Sequence, residues 1–181
     1  MLSPNVVSVN VGRARRTTWK GREVWTVIWK EPVTGTVRVR EAGIDGDQQA
    51  DLTVHGGKTK AVYAYPSEHY QYWQHELHRS LPWGMFGENL TTVGLLEDSV
   101  HSGDHFRAGS VELVVTQPRF PCYKLGIKFG SMAMVQRFMK SERCGFYFAV
   151  ESEGEIGVGD SIRLVSRGEG PTIAEIFRSE A

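Results

Sequence analysis

Val111-Glu112-Leu113-Val114-Val115-Thr116, continuing into Gln117-Pro118-Arg119-Phe120-Pro121-Cys122-Tyr123-Lys124-Leu125, is the stretch whose reading decides the fold. Its first six residues are β-branched and apolar enough to read as a strand. Pro118 and Pro121 then remove two backbone donors and stiffen the chain, so the segment reads as a turn that leaves the ladder. Cys122 follows directly, between the cations Arg119 and Lys124. A thiolate rather than a thiol attacks electrophiles and binds soft metals, and nearby positive charge favours it.

Outward from this strand the same pattern recurs. Val6 to Val11, Val24 to Trp29, Thr36 to Val39 and Ala61 to Tyr65 read as strands, as do Phe146 to Glu151 and Ile162 to Val165. A short extended piece follows the turn at Gly87-Glu88-Asn89-Leu90. Turns are marked by Gly43-Ile44-Asp45-Gly46-Asp47, Gly103-Asp104 and Gly157-Val158-Gly159-Asp160. Three segments change period. Pro66-Ser67-Glu68 opens a helix to about Ser80, with Tyr70, Trp73 and Leu77 at helical spacing. Met132 to Lys140 reads as an amphipathic helix. Thr172 to Arg178 reads as a short terminal helix, with Glu175 placed for a capping box. Many short strands with inserted, non-alternating helices predict a mainly β, α+β architecture: a β-barrel decorated with helices. One domain over 1–181 is expected, with a barrel core over about 4–166 and a C-terminal helix over about 172–178. No regular βαβ alternation and no G-x-G-x-x-G occur, which argues against a doubly wound nucleotide-binding fold.

Composition sets the outer limits. Twenty-one Lys plus Arg balance 21 Asp plus Glu over 181 residues, which argues against bulk adhesion to nucleic acid or a membrane but leaves room for a local basic pocket. Two cysteines are too few for a disulfide framework, and no C-x-x-C or C-x-x-H pair points to structural zinc. The N-terminus starts no signal pattern, no apolar run reaches membrane-spanning length, and the expected location is cytoplasmic.

Each candidate has an ordinary alternative. A free cysteine usually just packs; the flanking cations, the prolines and the strand end set Cys122 apart, whereas Cys144, beside Gly145 and Phe-Tyr-Phe, reads as core. His55-Gly56-Gly57 with Lys60 is either an anion pocket with exposed amides or a glycine hairpin with solvated lysines. Glu88 and Asn89 either hydrogen-bond a heterocyclic ligand or close a turn. His69, His75, His78, His101 and His105 form no H-E-x-x-H pair and read as surface or packing residues. No G-x-S-x-G is present, and Asp45, Asp47 and Asp51 lack the glycine and glutamate positions of a calcium loop.

Taken in order, these pieces resemble one family. Gly43 to Asp47 with Gln49-Ala50-Asp51, His55-Gly56-Gly57, Lys60-Ala61-Val62-Tyr63, Phe86-Gly87-Glu88-Asn89-Leu90, Gly103-Asp104, and Gln117-Pro118-Arg119 with Pro121 to Leu125 together look like a MOSC domain. That family is named for the C-terminal domain of molybdenum cofactor sulfurases, and the likeness is closest to its stand-alone bacterial YiiM-like members. The resemblance implies a β-barrel flanked by small helical modules, with Cys122 matching the family's reactive cysteine. It implies molybdenum cofactor (molybdopterin) as ligand, with Cys122 on the metal. His55, Gly56, Gly57, Lys60, Arg119, Lys124 and Arg143 are candidates for the cofactor's phosphate, and Glu88 and Asn89 for orienting cofactor or substrate. It also carries a family association with pyridoxal phosphate. The implied activity is reduction of N-hydroxylated small molecules, such as 6-N-hydroxylaminopurine or amidoximes, with electrons from an external reductase. A monomer or homodimer is expected, with no nucleic acid polymer and no membrane as partner. The alternative is a carrier that holds a persulfide on Cys122 without turnover. YiiM-like members often continue into a further helical module; the sequence ends at Ala181 after one short helix, so partner docking and part of the cavity wall are expected to differ.

Overall fold

A computed structural model describes residues 3–48 and 57–181. The chain opens with β1 (Asn5–Val11), the hairpin β2 (Arg15–Trp19) and β3 (Arg22–Thr26), then β4 (Glu31–Pro32), β5 (Thr36–Arg40) and β6 (Gly43–Ile44). A 3-10 turn at Lys58–Lys60 leads into β7 (Val62–Pro66), α1 (Glu68–Leu77) and β8 (Leu90–Val93). Then come β9 (His105–Ala108), β10 (Val111–Pro118), α2 (Tyr123–Phe129), α3 (Ala133–Ser141), β11 (Phe146–Ser152), β12 (Gly154–Gly157), β13 (Ile162–Ser166) and α4 (Ile173–Glu180).

Eight strands form one sheet in the order β13-β9-β10-β11-β7-β8-β1-β4. All its pairings are antiparallel except β7 with β8, which α1 joins as a single crossover. The sheet curls, but its ladders do not close into a barrel. Strand β1 and the start of β13 are instead stitched by a bridge between Asn5 and Ser161 and by the Ile162 N–H on the Pro4 carbonyl at 2.8 Å. A three-stranded sheet, β12-β5-β6, and the β2–β3 hairpin stand apart from it.

The long strand predicted at Val111 is β10, and it extends two residues further than expected, to Pro118, which still pairs with Phe146. Pro118 is tolerated because it stands at the strand's end. Val24 to Trp29 is strand only as far as Thr26. There the Thr26 hydroxyl accepts the Ile28 N–H at 3.2 Å and turns the chain out of the ladder. Helix α1 stops at Leu77 rather than Ser80 because His78 takes a left-handed φ of 50°. The capping box of α4 is present: Thr172 accepts from the Glu175 N–H, and Glu175 accepts from the Thr172 N–H.

The core is one apolar cluster between sheet and helices. Tyr70 and Trp73, one turn apart on α1, and Phe138 of α3 pack on Tyr65 of β7 and on Phe86. The Tyr65 and Phe86 rings stack at 4.5 Å, and the Trp73 and Phe138 rings at 6.1 Å. The Trp73 Nε1–H donates to the Tyr65 hydroxyl at 2.8 Å, so this polar edge of the aromatic block is satisfied. No helix among the described residues is long and apolar enough to cross a membrane.

Candidate functional site around Cys122

Several parts of the chain converge on one cleft: the Thr26-Val27-Ile28 segment, Lys30 with Asp47, the start of β7, Gly87 with Asn89, the stretch from Arg119 into the start of α2, and Tyr147 of β11. The inner cavity holds about 100 Å3 and opens to solvent. That is room for about three waters at liquid density, so only the reacting end of a larger ligand fits inside and its remainder lies at the mouth.

Cys122 is half-buried in the wall, extended at φ −121°, and forms the N-cap of α2. Sequence pattern offers no helical signal for this segment, because the prolines and cations before it read as loop and Gly126 lowers its helical propensity. The helix places its positive N-terminal end beside the sulfur. Behind the loop, Phe120 stacks on Phe177 of α4 at 5.0 Å and 12°, so the terminal helix clamps the residues that carry the cysteine.

Arg119 is the most telling side chain. It is 6% exposed and lines the cleft. Its guanidinium lies over the rings of Tyr63 and Phe138, at 5.3 and 5.2 Å. Its Nη1 is buried with no hydrogen-bond partner, and no carboxylate pairs with it among the described residues. A buried guanidinium with an unused donor is costly on its own and is set up to receive an anion. The Tyr63 and Tyr147 rings, 5.3 Å apart, form the floor beside it. Burial pushes both phenols above their ordinary range, Arg119 opposes the rise, and the charge of Cys122 adds to it at Tyr147. Lys60 lies over the Tyr147 ring at 5.9 Å, and Lys124 lines the same cleft.

Lys30 and Asp47 also line the cleft, and sequence reasoning missed Lys30. Their side chains are 6% and 8% exposed, and the ammonium sits 2.5 and 2.6 Å from the two carboxylate oxygens. Burial pulls the Lys30 ammonium below the ordinary lysine range, and Asp47 opposes the fall. Asp47 also accepts the Gly12 N–H at 2.7 Å and the Asn89 Nδ2 at 2.8 Å. Asn89 in turn accepts the Tyr63 N–H at 3.1 Å, tying the pair to β7.

The remaining sequence candidates lie as follows. Gly57 is the left-handed residue before the 3-10 turn, at φ 95°; His55 and Gly56 lie outside the described residues. Glu88 is wholly buried and does not line the cleft. Its carboxylate accepts from the Tyr70 hydroxyl, the Gly84 and Phe86 N–H groups at 2.8 and 3.1 Å, and the Thr91 hydroxyl at 2.9 Å. The structure therefore places Glu88 as the knot of the 84–91 turn. Arg143 lies away from the cleft as well, stacked over Tyr72 at 3.8 Å. Cys144 is buried as expected, and burial pushes its thiol up. His69, expected at the surface or in packing, is largely buried and meets both oxygens of Glu97, at 3.0 and 2.8 Å.

The residues present suit an anionic, thiophilic group. They offer a sulfur ligand at a helix start, a buried guanidinium whose Nη1 has no partner, and two further cations that line the cleft.

A family model for the MOSC domain matches residues 51–163. Protein YflK of Bacillus subtilis is 43% identical over 165 residues, covering 91% of this chain and 75% of that protein. Protein YiiM of Escherichia coli is 38% identical over 153 residues, covering 83% and 68%. A protein named Reductase from Gibberella moniliformis is 32% identical over 166 residues, covering 90% of this chain and 29% of that protein. The crystal structure of YiiM from Geobacillus stearothermophilus superposes with a TM-score of 0.82 at 38% identity, covering 98% of this chain and 83% of that one.

Proposed function

The chain belongs to the MOSC domain family, and from that premise we propose that it is a molybdenum-cofactor-dependent reductase of N-hydroxylated small molecules. A broad association with molybdenum cofactor comes with the family; the substrate, and Cys122 as the metal ligand, are the proposal. The observation that carries it is that Cys122 shares one cleft with the buried Arg119, whose Nη1 has no partner.

When bound, the cofactor supplies a soft metal centre able to take oxygen from nitrogen. The chain's part is to hold and tune it. Cys122 offers one thiolate. Arg119 donates to whichever anionic atom enters beside it, and Lys60 and Lys124 suit the phosphate of a ligand whose bulk stays at the mouth. Tyr63 and Tyr147, kept neutral by burial, offer flat apolar surface, and the Tyr63 hydroxyl is held by the Cys144 carbonyl at 2.8 Å. The net change is R–NHOH plus two protons and two electrons to R–NH2 plus water, with the N–O bond broken. The electrons come from outside the chain, and the Gibberella relative named Reductase, most of which lies outside the match, supports that division of labour.

The test is reduction of 6-N-hydroxylaminopurine or benzamidoxime, driven by reduced methyl viologen, in protein isolated from a host that makes the cofactor. Wild-type protein turns over and Cys122→Ala does not; equal rates in the two would refute the role of Cys122. A second reading, a persulfide carrier, is favoured by the small inner cavity. Intact mass spectrometry separates them: a reducible adduct with the mass of one sulfur atom on Cys122, without molybdenum, supports the carrier.

A further inference from the structure

The β2–β3 hairpin is a part of the molecule that neither the core nor the cleft chemistry accounts for. Its ladder runs from Arg15 opposite Thr26 to Trp19 opposite Arg22, closed by Lys20 and Gly21 at φ 49° and 75°. It pairs with no other strand among the described residues. An isolated two-stranded ribbon is marginal in water; this one leans on the rest of the chain through Arg15 on Glu31 and Trp19 on Tyr123, and its outer face is left to solvent.

Its charge is the second observation. Residues 13–26 hold Arg13, Arg15, Arg16, Lys20 and Arg22 against Glu23 alone, in a chain whose total charge is zero. All five cations are exposed. Arg15 pairs with Glu31 and Arg16 with Glu23; among the described residues no carboxylate pairs with Arg13, Lys20 or Arg22. Arg16 lies over the Trp25 ring at 5.1 Å and Lys20 over Trp19 at 5.7 Å, and Trp25 is 51% exposed. Exposed tryptophan and arginine are the side chains that protein interfaces concentrate.

Its position is the third. At Thr26 the hairpin runs directly into the Val27 and Ile28 wall of the cleft. The Trp19 ring stacks on Tyr123, the residue after Cys122, at 6.3 Å and 29°. The basic, aromatic platform therefore borders the mouth of the cleft and touches the residue adjoining its sulfur.

We propose that the β2–β3 hairpin docks an acidic flavoprotein that feeds electrons into the Cys122 cleft; this rests on the reductase reading. The redox balance fits. One flavin hydroquinone, oxidised to the quinone, releases the two electrons and two protons that one N–O cleavage consumes. The charge favours a compact acidic protein over a nucleic acid. Five cations against one carboxylate in residues 13–26 leave the rest of the chain with an equal net negative excess, which disfavours an extended polyanion that would run beyond the hairpin.

The experiment compares wild-type protein with the triple variant Arg16→Glu, Lys20→Glu, Arg22→Glu and with the charge-keeping variant Arg16→Lys, Arg22→Lys. Calorimetry measures binding of oxidised flavodoxin at low salt, without substrate. Turnover of the cofactor-loaded protein is measured with flavodoxin hydroquinone and, separately, with reduced methyl viologen. The proposal predicts that the triple variant loses flavodoxin affinity and flavodoxin-driven kcat/KM by about tenfold to hundredfold. Its viologen-driven rate stays unchanged, and the charge-keeping variant behaves as wild type. Undiminished flavodoxin affinity in the triple variant overturns the docking site, as does a duplex oligonucleotide that binds wild type more tightly than flavodoxin. No viologen-driven turnover in wild type, with flavodoxin affinity still lost in the variant, refutes the reductase reading and leaves the docking surface standing.

Discussion

The Lys30 ammonium grips Asp47 through both carboxylate oxygens, at 2.5 and 2.6 Å, in the cleft that Cys122 also lines. Both side chains are almost withdrawn from water. A buried pair of this kind contributes little net stability as a pair, but removal of one partner leaves the other charge stranded. Asp47→Asn should therefore cost about 3–5 kcal/mol in urea unfolding. Adding Lys30→Met should recover part of the loss, because the stranded cation is gone while the introduced amide nitrogen still faces the Asn89 Nδ2 donor. Equal losses in the single and double variants would show that the pair does not carry the cost.

Arg119 should behave differently. Its Nη1 has no partner, so replacing the side chain relieves a desolvated charge while losing two ring contacts. Arg119→Met should leave the thermal stability of cofactor-free protein within about 1 kcal/mol of wild type, while anion affinity falls by about tenfold to hundredfold, the worth of one charge-assisted hydrogen bond. Molybdate or phosphate titrations of the cofactor-free protein provide the readout.

Glu88 separates scaffold from site. Four donors converge on its carboxylate, and burial pushes its pKa up against them. Glu88→Gln turns one acceptor oxygen into a donor facing donors, and should cost about 2–4 kcal/mol. Anion affinity of the fraction that stays folded should be unchanged. A selective loss of affinity with full stability would return Glu88 to the site.

Lys128 provides a pH signature. Its ammonium donates to the Ile28 and Gly84 carbonyls at 2.8 and 2.5 Å, and burial pulls its pKa down from 10.5 to about 8. Below pH 8 both folded and unfolded states are protonated, and the folded state bears the full cost of the buried charge. Between about 8 and 10.5 only the unfolded state holds the proton, so this residue's contribution to stability rises with pH. Relative to Lys128→Met, wild-type stability should gain about 3 kcal/mol across that window; a flat difference would contradict the assignment.

Local pattern carried much of the fold. Tyr70 and Trp73 marked α1, the Thr172 and Glu175 pair marked α4, and the run at Val111 marked β10, because each signal lies within one element. Helix α2 escaped, since its start is set by how Cys122 caps it after Pro121 and Gly126 weakens its middle. The β2 and β3 hairpin also escaped as a unit, because Arg15, Arg16 and Lys20 mask the alternation, although Lys20-Gly21 is a turn signal. That Cys122, Arg119, Lys60, Lys124 and Asn89 line one cleft was legible from their motifs. Lys30 was not, since a lysine discloses its burial only through a partner seventeen residues away. Glu88 and Arg143 were placed by motif and proximity in sequence, whereas tertiary packing turns Glu88 inward and lays Arg143 on Tyr72.

Whether Cys122 holds molybdenum decides its role. Metal content by mass spectrometry, after gentle isolation from a host that makes the cofactor, tests it directly in wild-type protein and in Cys122→Ser. Near-stoichiometric molybdenum in the wild type and its loss in a folded Cys122→Ser variant is the predicted result. Molybdenum absent from the wild type, or retained equally by the variant, would contradict it.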